Sequence, residues 1–272
     1  MKIVVFADVH YFAGDISTAI FNTKKKLVRY ALPLLNAIKE KGKADGDVDF
    51  YVNLGDVIQD TTEHDGDIRA LSFMFGKLNE FCAPCHSVLG NHDLKLMGSV
   101  DEVEALLGHR STYSYNKNGW HFVFLTTEVR CELGTERGGC YKAQYIANKT
   151  LQWLKNDLAK NSDPCLIFTH YGLAEDPDIN DECMFMKNRA DVKAILEKDS
   201  NVKAVFCGHQ HKTKVHTENG IRYYHLGSLI GCDEGNDIPD AVYFEVFLDG
   251  ENVTVHEKKA DIGIKEQKEK GI

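Results

Sequence analysis

Histidine, aspartate and asparagine recur at five short sites in the 272-residue chain, and these side chains are common ligands of transition-metal ions. Each site alone has an ordinary structural explanation, because aspartate after a strand often caps a helix and Gly-Asn often forms a turn. Together they contain five of the twelve histidines, which indicates a shared metal site rather than five independent caps. The motifs are Asp8-Val9-His10, Gly55-Asp56, Gly90-Asn91-His92-Asp93, His170 and Gly208-His209-Gln210-His211.

The number and chemistry of these side chains indicate two metal ions. Two carboxylates, one amide oxygen and four imidazoles are too many ligands for one zinc ion, which is four-coordinate in most protein sites. A mixed nitrogen and oxygen set without thiolate suits manganese, iron, zinc or cobalt better than calcium. We therefore expect two divalent or mixed-valence ions of Mn, Fe or Zn, with metal availability deciding among them.

Every motif follows the end of an apolar segment, and each of these segments is predicted to be a strand. In open α/β sheets, ligands bind outside the carboxyl ends of the strands. All five motifs can therefore meet at one pocket, although the chain separates the first from the last by about 200 residues. The five apolar segments are residues 3–7, 50–54, 87–89, 165–168 and 202–206.

Helical segments alternate with these strands, which predicts a mixed α/β fold. The strands are too numerous and too apolar for one exposed sheet, so we expect two sheets packed face to face with helices outside. No linker or repeat divides the sequence, and we expect one domain over residues 1–262 followed by a charged tail at 263–272. Helices are predicted near 27–38, where Pro33 kinks or restarts the helix, and near 68–81, 151–158 and 192–196. A hairpin is predicted within 113–125, and mostly antiparallel strands at 214–216, 221–226, 241–247 and 253–256.

Composition and charge argue against several classes of partner. The chain carries 32 basic and 41 acidic residues, and its net charge of −9 disfavours binding to duplex DNA or RNA. Its longest apolar runs are far shorter than the roughly 20 residues that span a bilayer, so no membrane partner is expected. The N-terminal apolar run ends at Asp8, too early for a signal peptide, which predicts a cytoplasmic protein. The sequence carries no signal for a particular oligomeric state.

The eight cysteines are predicted to be reduced and mostly buried. An even number of cysteines in a chain of this length, without a signal peptide, is weak evidence for disulfides. Cys82 and Cys85 have the C-x-x-C spacing, but they precede a predicted strand, whereas a redox motif opens a helix after a strand. We expect this pair to pack at a helix–strand junction, with redox chemistry or zinc binding as the alternative.

In this order, the five motifs resemble the calcineurin-like metallophosphoesterase superfamily, and the resemblance covers roughly residues 2–230. Residues 224–228, Tyr-His-Leu-Gly-Ser, are similar to the strand and Gly-Ser turn that follow the last motif in that family. The resemblance implies a four-layer α/β/β/α sandwich of two packed mixed sheets flanked by helices. By position, it also implies that Asp8, His10 and His211 hold one metal and that Asn91, His170 and His209 hold the other. It further implies that Asp56 bridges both metals. His92 would hold no metal and would face the substrate phosphate.

A narrower resemblance leads to the manganese-dependent ADP-ribose/CDP-alcohol diphosphatase branch. Residues 26–30 and 34–38 resemble the first helix of that branch, and residues 188–191, Asn-Arg-Ala-Asp, resemble the segment before its last helix. The sequence departs from the branch at His10, where the branch carries a glutamine. The motifs therefore imply the superfamily and leave the particular substrate open.

A site with two metal ions has a direct use in the hydrolysis of phosphate esters. Two divalent ions lower the pKa of a bridging water toward neutrality, and the resulting hydroxide attacks phosphorus in line with the leaving oxygen. Asp56 and His92 are the predicted catalytic residues: Asp56 holds both ions, and His92 stabilises the phosphoryl charge or protonates the leaving group. Either Asp60 or Asp93 would orient His92.

The predicted substrate is a small phosphodiester or pyrophosphate of the nucleotide type. Asn91, His92 and Arg189 are the predicted substrate-binding residues, and Arg130 and Arg137 are further candidates for phosphate contacts. The alternatives are a phosphatase for phosphomonoesters or phosphoproteins, and a non-catalytic scaffold of the same fold. The scaffold would have gaps among its ligands, and this sequence has none.

Two long segments are expected to shape specificity, because long loops without their own secondary structure are more often functional than not. They are the Gly-rich residues 128–142 and residues 171–187, which directly follow the ligand His170. In the second segment, Met184 and Phe185 either stack on a nucleobase or pack the loop onto the core.

Overall fold

A computed structural model describes residues 1–14, 27–61, 63–128, 145–179, 181–231 and 238–263, and the elements given below lie within these ranges. The strands are β1 (Lys2–Phe6), β2 (Phe50–Asn53), β3 (Cys85–Ser87), β4 (Tyr113–Lys117), β5 (Trp120–Leu125), β6 (Cys165–Thr169), β7 (Val202–Cys207), β8 (Lys214–Glu218), β9 (Ile221–His225), β10 (Val242–Asp249) and β11 (Asn252–Lys259). The helices are α1 (Ala31–Asp45), α2 (His64–Leu78), α3 (Asn91–Leu94), α4 (Val100–Leu107), α5 (Asn148–Leu158) and α6 (Arg189–Leu196). Short 3-10 turns at Val28–Tyr30 and Glu182–Met184 precede α1 and α6.

The strands form two mixed sheets. In the first, with the order β11-β10-β1-β2-β3, the last three strands are parallel and β10 is antiparallel to β1. In the second, with the order β4-β5-β6-β7-β9-β8, the four central strands are parallel and the two edge strands are antiparallel to their neighbours. Each strand that precedes a predicted ligand motif belongs to a parallel run. Their carboxyl ends therefore lie side by side at one edge of each sheet.

Three apolar layers hold the sheets and helices together as an α/β/β/α sandwich, which confirms the predicted fold class. The layer between the sheets contains Val5 and Phe50 from the first sheet and Phe124 from the second. A second layer packs the outer face of the first sheet, including Val4, against α1, α2 and α4. A third packs the second sheet, including Ile167, against α5 and α6. Adjacent residues of β1 thus point into different layers, as the alternation of side chains along a strand requires.

Helix α1 begins where the sequence predicts a kink or a restart. The 3-10 turn at Val28–Tyr30 precedes it, and Pro33 lies in its first turn, where a missing N–H breaks no helical hydrogen bond. The helix ends at Gly46, whose φ of 70° lies in the left-handed region that glycine adopts without strain.

Strand β3 lies two residues before its predicted position. The predicted strand covers residues 87–89, whereas the observed strand covers Cys85–Ser87 because its first residue pairs with Tyr51 of β2. Leu89 has left the sheet, and its N–H donates to Thr126 Oγ1 at 3.0 Å. The second cysteine of the C-x-x-C pair therefore lies within the strand rather than before it.

The cysteines that the structure describes form no disulfide among themselves; they are Cys82, Cys85, Cys165, Cys183 and Cys207. Burial raises the pKa of the Cys85 thiol far above its usual range, which disfavours the reactive thiolate. Of the described cysteines only Cys165 and Cys207 are buried and Cys82 is exposed, so the prediction that most cysteines are buried is wrong for the described residues. Cys131, Cys140 and Cys232 lie outside the described residues, so the reduced state of all eight thiols stays a prediction.

Among the described helices, none is long and apolar enough to cross a bilayer. Residues 264–272 of the predicted charged tail lie outside the described ranges. The domain boundary at residue 262 and the cytoplasmic location therefore stay predictions.

Candidate metal centre

The five sequence motifs meet at the carboxyl ends of β1, β2 and β3 in the first sheet and of β6 and β7 in the second. Their ligand atoms form three overlapping groups, and within each group all the atoms lie within 4.8 Å of one another. Asn91 joins the third group through a 3.2 Å contact between its Oδ1 and His170 Nε2. The three groups are Asp8, His10 and His211; His10, Asp56 and His92; and Asp56, His170 and His209.

Asp56 lies at the centre of the site. Its Oδ2 is 3.4 Å from His170 Nε2, 3.9 Å from His10 Nε2 and 4.0 Å from His92 Nε2. Its Oδ1 accepts the backbone N–H of His92 at 2.8 Å, and this hydrogen bond turns Oδ2 toward the histidines. The carboxylate is thus placed between the two halves of the site, where one ligand can serve two ions.

One half of the site consists of Asp8, His10 and His211. Asp8 Oδ1 lies 3.3 Å from His211 Nε2 and 3.8 Å from His10 Nε2, and the two imidazole nitrogens are 3.1 Å apart. Asp8 Oδ2 accepts the backbone N–H of His209 at 3.1 Å. Asp8 Oδ1 is buried and has no hydrogen-bond partner among the described residues. A buried carboxylate oxygen that faces two imidazoles fits a transition-metal cation.

In the other half, backbone carbonyls fix the orientation of two imidazole rings. His170 Nδ1 donates to the carbonyl oxygen of Leu54 at 2.8 Å, so Nε2 faces the centre of the site and would carry the lone pair when the ring is neutral. His209 Nε2 donates to the carbonyl oxygen of Cys183 at 3.0 Å, which leaves Nδ1 as its ligand atom. Metal-binding histidines commonly donate their second N–H in this way, so both rings are prepared for a metal ion.

The backbone at the motifs adopts a conformation that residues with side chains rarely use. Five of the eight non-glycine residues with positive φ in the described ranges are predicted ligands. Such strain costs about 1–3 kcal/mol per residue and concentrates at functional sites. The five residues are Asp8 (55°), His10 (47°), Asp56 (52°), His209 (68°) and His211 (57°).

Two glycines of the motifs are required because ligand carboxylates pack against their α-carbons. A Cβ added at Gly90 would lie 2.2 Å from Asp56 Oδ1, and one added at Gly208 would lie 2.7 Å from Asp8 Oδ2. Both distances are shorter than any ordinary carbon–oxygen contact. The glycine that precedes a ligand in the sequence therefore makes room for a carboxylate from another motif.

Burial and neighbouring charges set the protonation of the site. Burial raises the pKa of Asp56, but His170, His92 and His10 outweigh it and hold that pKa well below its ordinary value. Burial lowers the pKa of His170, but Asp56 more than reverses this and raises it to about 9. Burial, together with His170, lowers the pKa of His209 to about 3. Asp56 is thus a carboxylate and His209 a neutral imidazole, which are the forms that bind metals, whereas a metal ion must displace a proton from His170.

His92 lies beside the ligands, with its second nitrogen held by Asp60. Its Nδ1 forms a short hydrogen bond with Asp60 Oδ1, and Gln59 Nε2 lies 3.2 Å from both atoms. The other carboxylate oxygen of Asp60 is 2.7 Å from Lys95 Nζ. Because a carboxylate accepts and does not donate, Asp60 keeps the proton of His92 on Nδ1 and directs Nε2 toward Asp56.

Asp93 supports the loop that carries Asp56 and does not contact the His92 ring in this way. Its carboxylate accepts the backbone N–H groups of Asp56 at 2.8 Å and of Gly90 at 2.9 Å. Of the two carboxylates that the sequence leaves open as partners of His92, the structure places Asp60 against the ring.

Arg189, the remaining predicted substrate-binding residue, is already engaged in ion pairs. Its guanidinium group lies 2.8 Å from Glu175 Oε1 and 2.9 Å from Glu182 Oε2, and it covers the ring of Phe185. Phe185 is buried, so this ring packs the loop onto the protein and is not exposed for stacking. Arg130 and Arg137, together with most of segment 128–142, lie outside the described residues.

Sequence reasoning missed several residues that hold the ligands in place. Gln59 contacts His92, and the carbonyl group of Cys183 orients His209. A backbone carbonyl leaves no residue-type pattern that could reveal it. Lys95, which pairs with Asp60, could have been found from the sequence. It follows His92 by three residues, and this spacing puts two side chains on one side of a helical turn.

The match to a known family includes every residue of this centre. A family model described as calcineurin-like phosphoesterase matches residues 1–213, which extend from before Asp8 to beyond His211. The chain belongs to this family. In this calcineurin-like phosphoesterase, all five motifs and their acidic, amide and imidazole side chains lie within the matched residues.

The curated relatives of this phosphoesterase are named for nucleotide substrates. It is 27% identical over 170 residues to a probable cyclic nucleotide phosphodiesterase of Xenorhabdus bovienii, covering 61% of this chain and 64% of that protein. A second such protein, from Fibrobacter succinogenes, is 30% identical over 168 residues, covering 61% and 58%. The chain thus spans about three fifths of the length of both. It is also 22% identical over 273 residues to a manganese-dependent ADP-ribose/CDP-alcohol diphosphatase of Arabidopsis thaliana, covering 85% and 86%.

Solved structures share the fold of this phosphoesterase. A dimetal phosphatase from Danio rerio superposes with a TM-score of 0.74 at 19% identity, covering 96% of both chains. A purple acid phosphatase from yellow lupin superposes with a TM-score of 0.59 at 14% identity, covering 97% of this chain and 52% of the other. At these identities the likeness concerns the two-sheet sandwich.

Proposed function

We propose that the chain is a metal-dependent phosphoric ester hydrolase that cleaves a small phosphodiester or pyrophosphate of the nucleotide type. The observation that carries the proposal is the position of Asp56, whose Oδ2 faces histidines from both halves of the site. One carboxylate shared between two groups of ligands is the arrangement that two-metal phosphoesterases need.

The ligand assignment follows from the two halves of the site. Two ions of manganese, iron or zinc would bind at Asp8, His10 and His211 and at Asn91, His170 and His209, with Asp56 shared. When bound, they would activate a water nucleophile and neutralise charge on the phosphoryl oxygens. The imidazoles of His170 and His209 are oriented for this by Leu54 and Cys183 before any ion arrives.

His92 is the proposed proton donor. Its Nδ1 proton is held by Asp60, so its Nε2 can carry a second proton toward the phosphoryl or leaving oxygen in the imidazolium form. Burial raises the pKa of Asp60, but His92 and Lys95 outweigh it and keep that pKa below its ordinary value. The resulting carboxylate stabilises the charged ring while the proton is transferred.

The substrate class is supported by the names of the relatives. Two relatives named cyclic nucleotide phosphodiesterases and one named a diphosphatase all act, by their names, on phosphate diesters or pyrophosphates of nucleotide type. The chain has His10 where the diphosphatase branch carries glutamine. The departure at His10 leaves the choice between a phosphodiester and ADP-ribose to the assay.

The test is a reconstitution of the full chain with one metal at a time. Metal-free protein is loaded with Mn²⁺, Fe²⁺ or Zn²⁺ and assayed on bis-p-nitrophenyl phosphate, p-nitrophenyl phosphate, a 3′,5′-cyclic nucleotide and ADP-ribose. We expect metal-dependent hydrolysis of the diesters or the pyrophosphate, abolished in His170→Ala and retained in His256→Ala, which changes an exposed histidine of β11.

Two results would contradict the proposal. A clear preference for p-nitrophenyl phosphate would replace the proposed substrate class with phosphomonoesters. No hydrolysis with any of the three metals, although they bind, would favour the non-catalytic scaffold.

A further inference from the structure

We propose that Arg189 is a positioning residue for one half of the metal centre, rather than a ligand for substrate phosphate. It acts through the loop between β6 and α6, residues 170–188, and holds the backbone that orients His209. The inference rests on the two-metal assignment proposed above.

The contact between the loop and the metal centre is a backbone carbonyl group. The oxygen of Cys183 lies 3.0 Å from His209 Nε2, and the next carbonyl, of Met184, accepts from Gln210 Nε2 at 3.3 Å. A carbonyl oxygen accepts hydrogen bonds and cannot donate, so it selects the tautomer with the proton on Nε2. The lone pair of His209 is then on Nδ1, and the ring is held in the direction in which it must bind.

Arg189 holds this part of the loop in place from two sides. Its guanidinium binds Glu182, which begins the 3-10 turn Glu182–Met184, at 2.9 Å and 3.2 Å. It also binds Glu175 at 2.8 Å and 3.3 Å, in the part of the loop near its start. Both ion pairs are bidentate, which is the strongest geometry available to arginine and a carboxylate.

The same segment is also tied to the strand end that carries the other imidazole of this half. The N–H of Met186 donates to the carbonyl oxygen of Gly172 at 3.0 Å, and Gly172 lies two residues after His170. Phe185 is buried beneath the Arg189 guanidinium. The loop thus starts at His170 and contacts His209 through a backbone carbonyl. Arg189 joins the two parts of the loop.

These contacts distinguish Arg189 from a phosphate ligand. Its side chain is 15% exposed, and both edges of its guanidinium are filled by carboxylates of this chain. A substrate phosphate would have to displace at least one of these bidentate pairs. The half of the site formed by Asp8, His10 and His211 does not depend on Arg189. Its backbone is held by the Ser228 hydroxyl, which donates to the carbonyl oxygen of Asp8 at 2.9 Å.

The test measures metal binding to the full chain, independently of catalysis. Metal-free wild type, Arg189→Gln and Arg189→Lys are titrated with Mn²⁺ by calorimetry and by electron paramagnetic resonance. Loss of an outer contact to a metal ligand typically weakens metal affinity 10–100-fold. We expect Arg189→Gln to bind one ion as wild type does and the other about 10-fold more weakly. The affinity of Arg189→Lys for that second ion should lie between those of wild type and Arg189→Gln.

Lys193→Gln is the matched control. Lys193 lies one turn further along α6, its side chain is 13% exposed, and it pairs with Glu218 of β8 instead of with the loop. The same loss of charge and a similar burial should leave both metal affinities at their wild-type values. Glu182→Gln is the second test variant. Glu182 is 63% exposed, so its replacement removes one of the two ion pairs of Arg189 without opening the core.

The outcomes separate this inference from the proposed function. Two ions in wild type, with unchanged affinities for both in Arg189→Gln and in Glu182→Gln, would overturn the inference and leave the two-metal site standing. Equal weakening of both ions in Arg189→Gln would also overturn it, because the effect would then be global. A wild-type chain that binds a single ion would overturn the two-metal assignment itself.

Discussion

At the scale of single residues, the sequence predicts the place of His92 but not the carboxylate that orients it. The resemblance of the motif Gly90-Asn91-His92-Asp93 to the family implies a histidine beside the metals that does not bind one. Which carboxylate orients it depends on how the loop after β2 folds, and no spacing rule contains that information. In the structure Asp60 contacts the ring, while Asp93 accepts backbone N–H groups from the Asp56 loop.

Replacing His92 is expected to reduce kcat while metal content is retained. His92→Ala should cost about 10²–10³ in kcat, the usual loss for one acid–base or charge-stabilising group. Asp60→Asn should cost less, because it weakens the orientation of the ring and keeps the ring itself. The loss should shrink for p-nitrophenyl esters, since p-nitrophenolate needs little protonation. Steady-state kinetics on esters with good and poor leaving groups, with elemental analysis, measures this.

The control for these variants is Asp65→Asn, which changes an exposed carboxylate of α2. It should leave kcat at the wild-type value. An equal loss for good and poor leaving groups would assign His92 to charge stabilisation instead of acid catalysis. Full activity of His92→Ala with both ions bound would remove His92 from the reaction.

At the scale of elements, the sequence predicts five strands from apolar runs that end at the motif residues, and the others from a hairpin and antiparallel patterns. Strand β3 is the exception, since its start is set by pairing with Tyr51 and by the departure of Leu89 toward Thr126. Long-range contacts of this kind do not appear in local hydrophobic patterns. The same limit hides the Cys183 carbonyl, although the ligand His209 that it orients is predicted.

The close packing of strand ends predicts that Gly90→Ala disrupts the metal centre. The added Cβ would overlap Asp56 Oδ1, so the carboxylate or the backbone must move. A displacement of this size is expected to cost about 100-fold or more in kcat and to weaken metal binding. Metal titration and kinetics of the purified variant measure both effects.

Gly76→Ala is the matched control for this substitution. Gly76 lies inside α2, and a Cβ there would meet nothing within 4 Å. It should leave activity unchanged and raise the free energy of unfolding by about 0.5–1 kcal/mol, because alanine favours a helix more than glycine does. Wild-type metal binding by Gly90→Ala would show that the strand ends tolerate a side chain and would contradict the packing described here.

The two sheets are also joined at their edges by His86 of β3, and this contact predicts a pH dependence of stability. His86 Nδ1 lies 2.5 Å from the Tyr113 hydroxyl and Nε2 lies 3.1 Å from the Tyr115 hydroxyl, both on β4. Burial, assisted by His109 and Lys117, lowers the pKa of His86 to about 4 from an ordinary value of 6.5. A neutral ring satisfies both tyrosines, by donating to one and accepting from the other.

Between about pH 6.5 and pH 4 the unfolded chain therefore binds a proton at this residue that the folded chain does not. The contribution of His86 to stability is full above this range and is lost as pH falls through it, with a slope of at most about 1.4 kcal/mol per pH unit. Chemical denaturation of wild type and His86→Gln over this range measures the difference. Parallel curves for the two proteins would contradict the low pKa.

At the scale of the whole molecule, the acidic composition and the proposed phosphate substrate are compatible because the charge is local. Two divalent ions bring four positive charges against the two carboxylates of Asp8 and Asp56, so the centre would attract anions despite a net charge of −9. The two-sheet sandwich makes this possible by aligning parallel strands from both sheets at one edge. The sequence predicts that architecture from strand number and apolarity, and it predicts the site from the residues that end the strands.

The proposed metal centre requires one chain to bind two ions that share Asp56. The most direct measurement is a titration of metal-free protein with Mn²⁺, followed by electron paramagnetic resonance and by hydrolysis of bis-p-nitrophenyl phosphate. We predict saturation at two ions per chain, a spin-coupled spectrum as the second ion binds, and activity that rises with that coupled signal. In Asp56→Asn, the coupling and the activity should disappear together. Saturation at one ion with full activity, or two ions with the spectrum of isolated Mn²⁺, would exclude a shared two-metal centre.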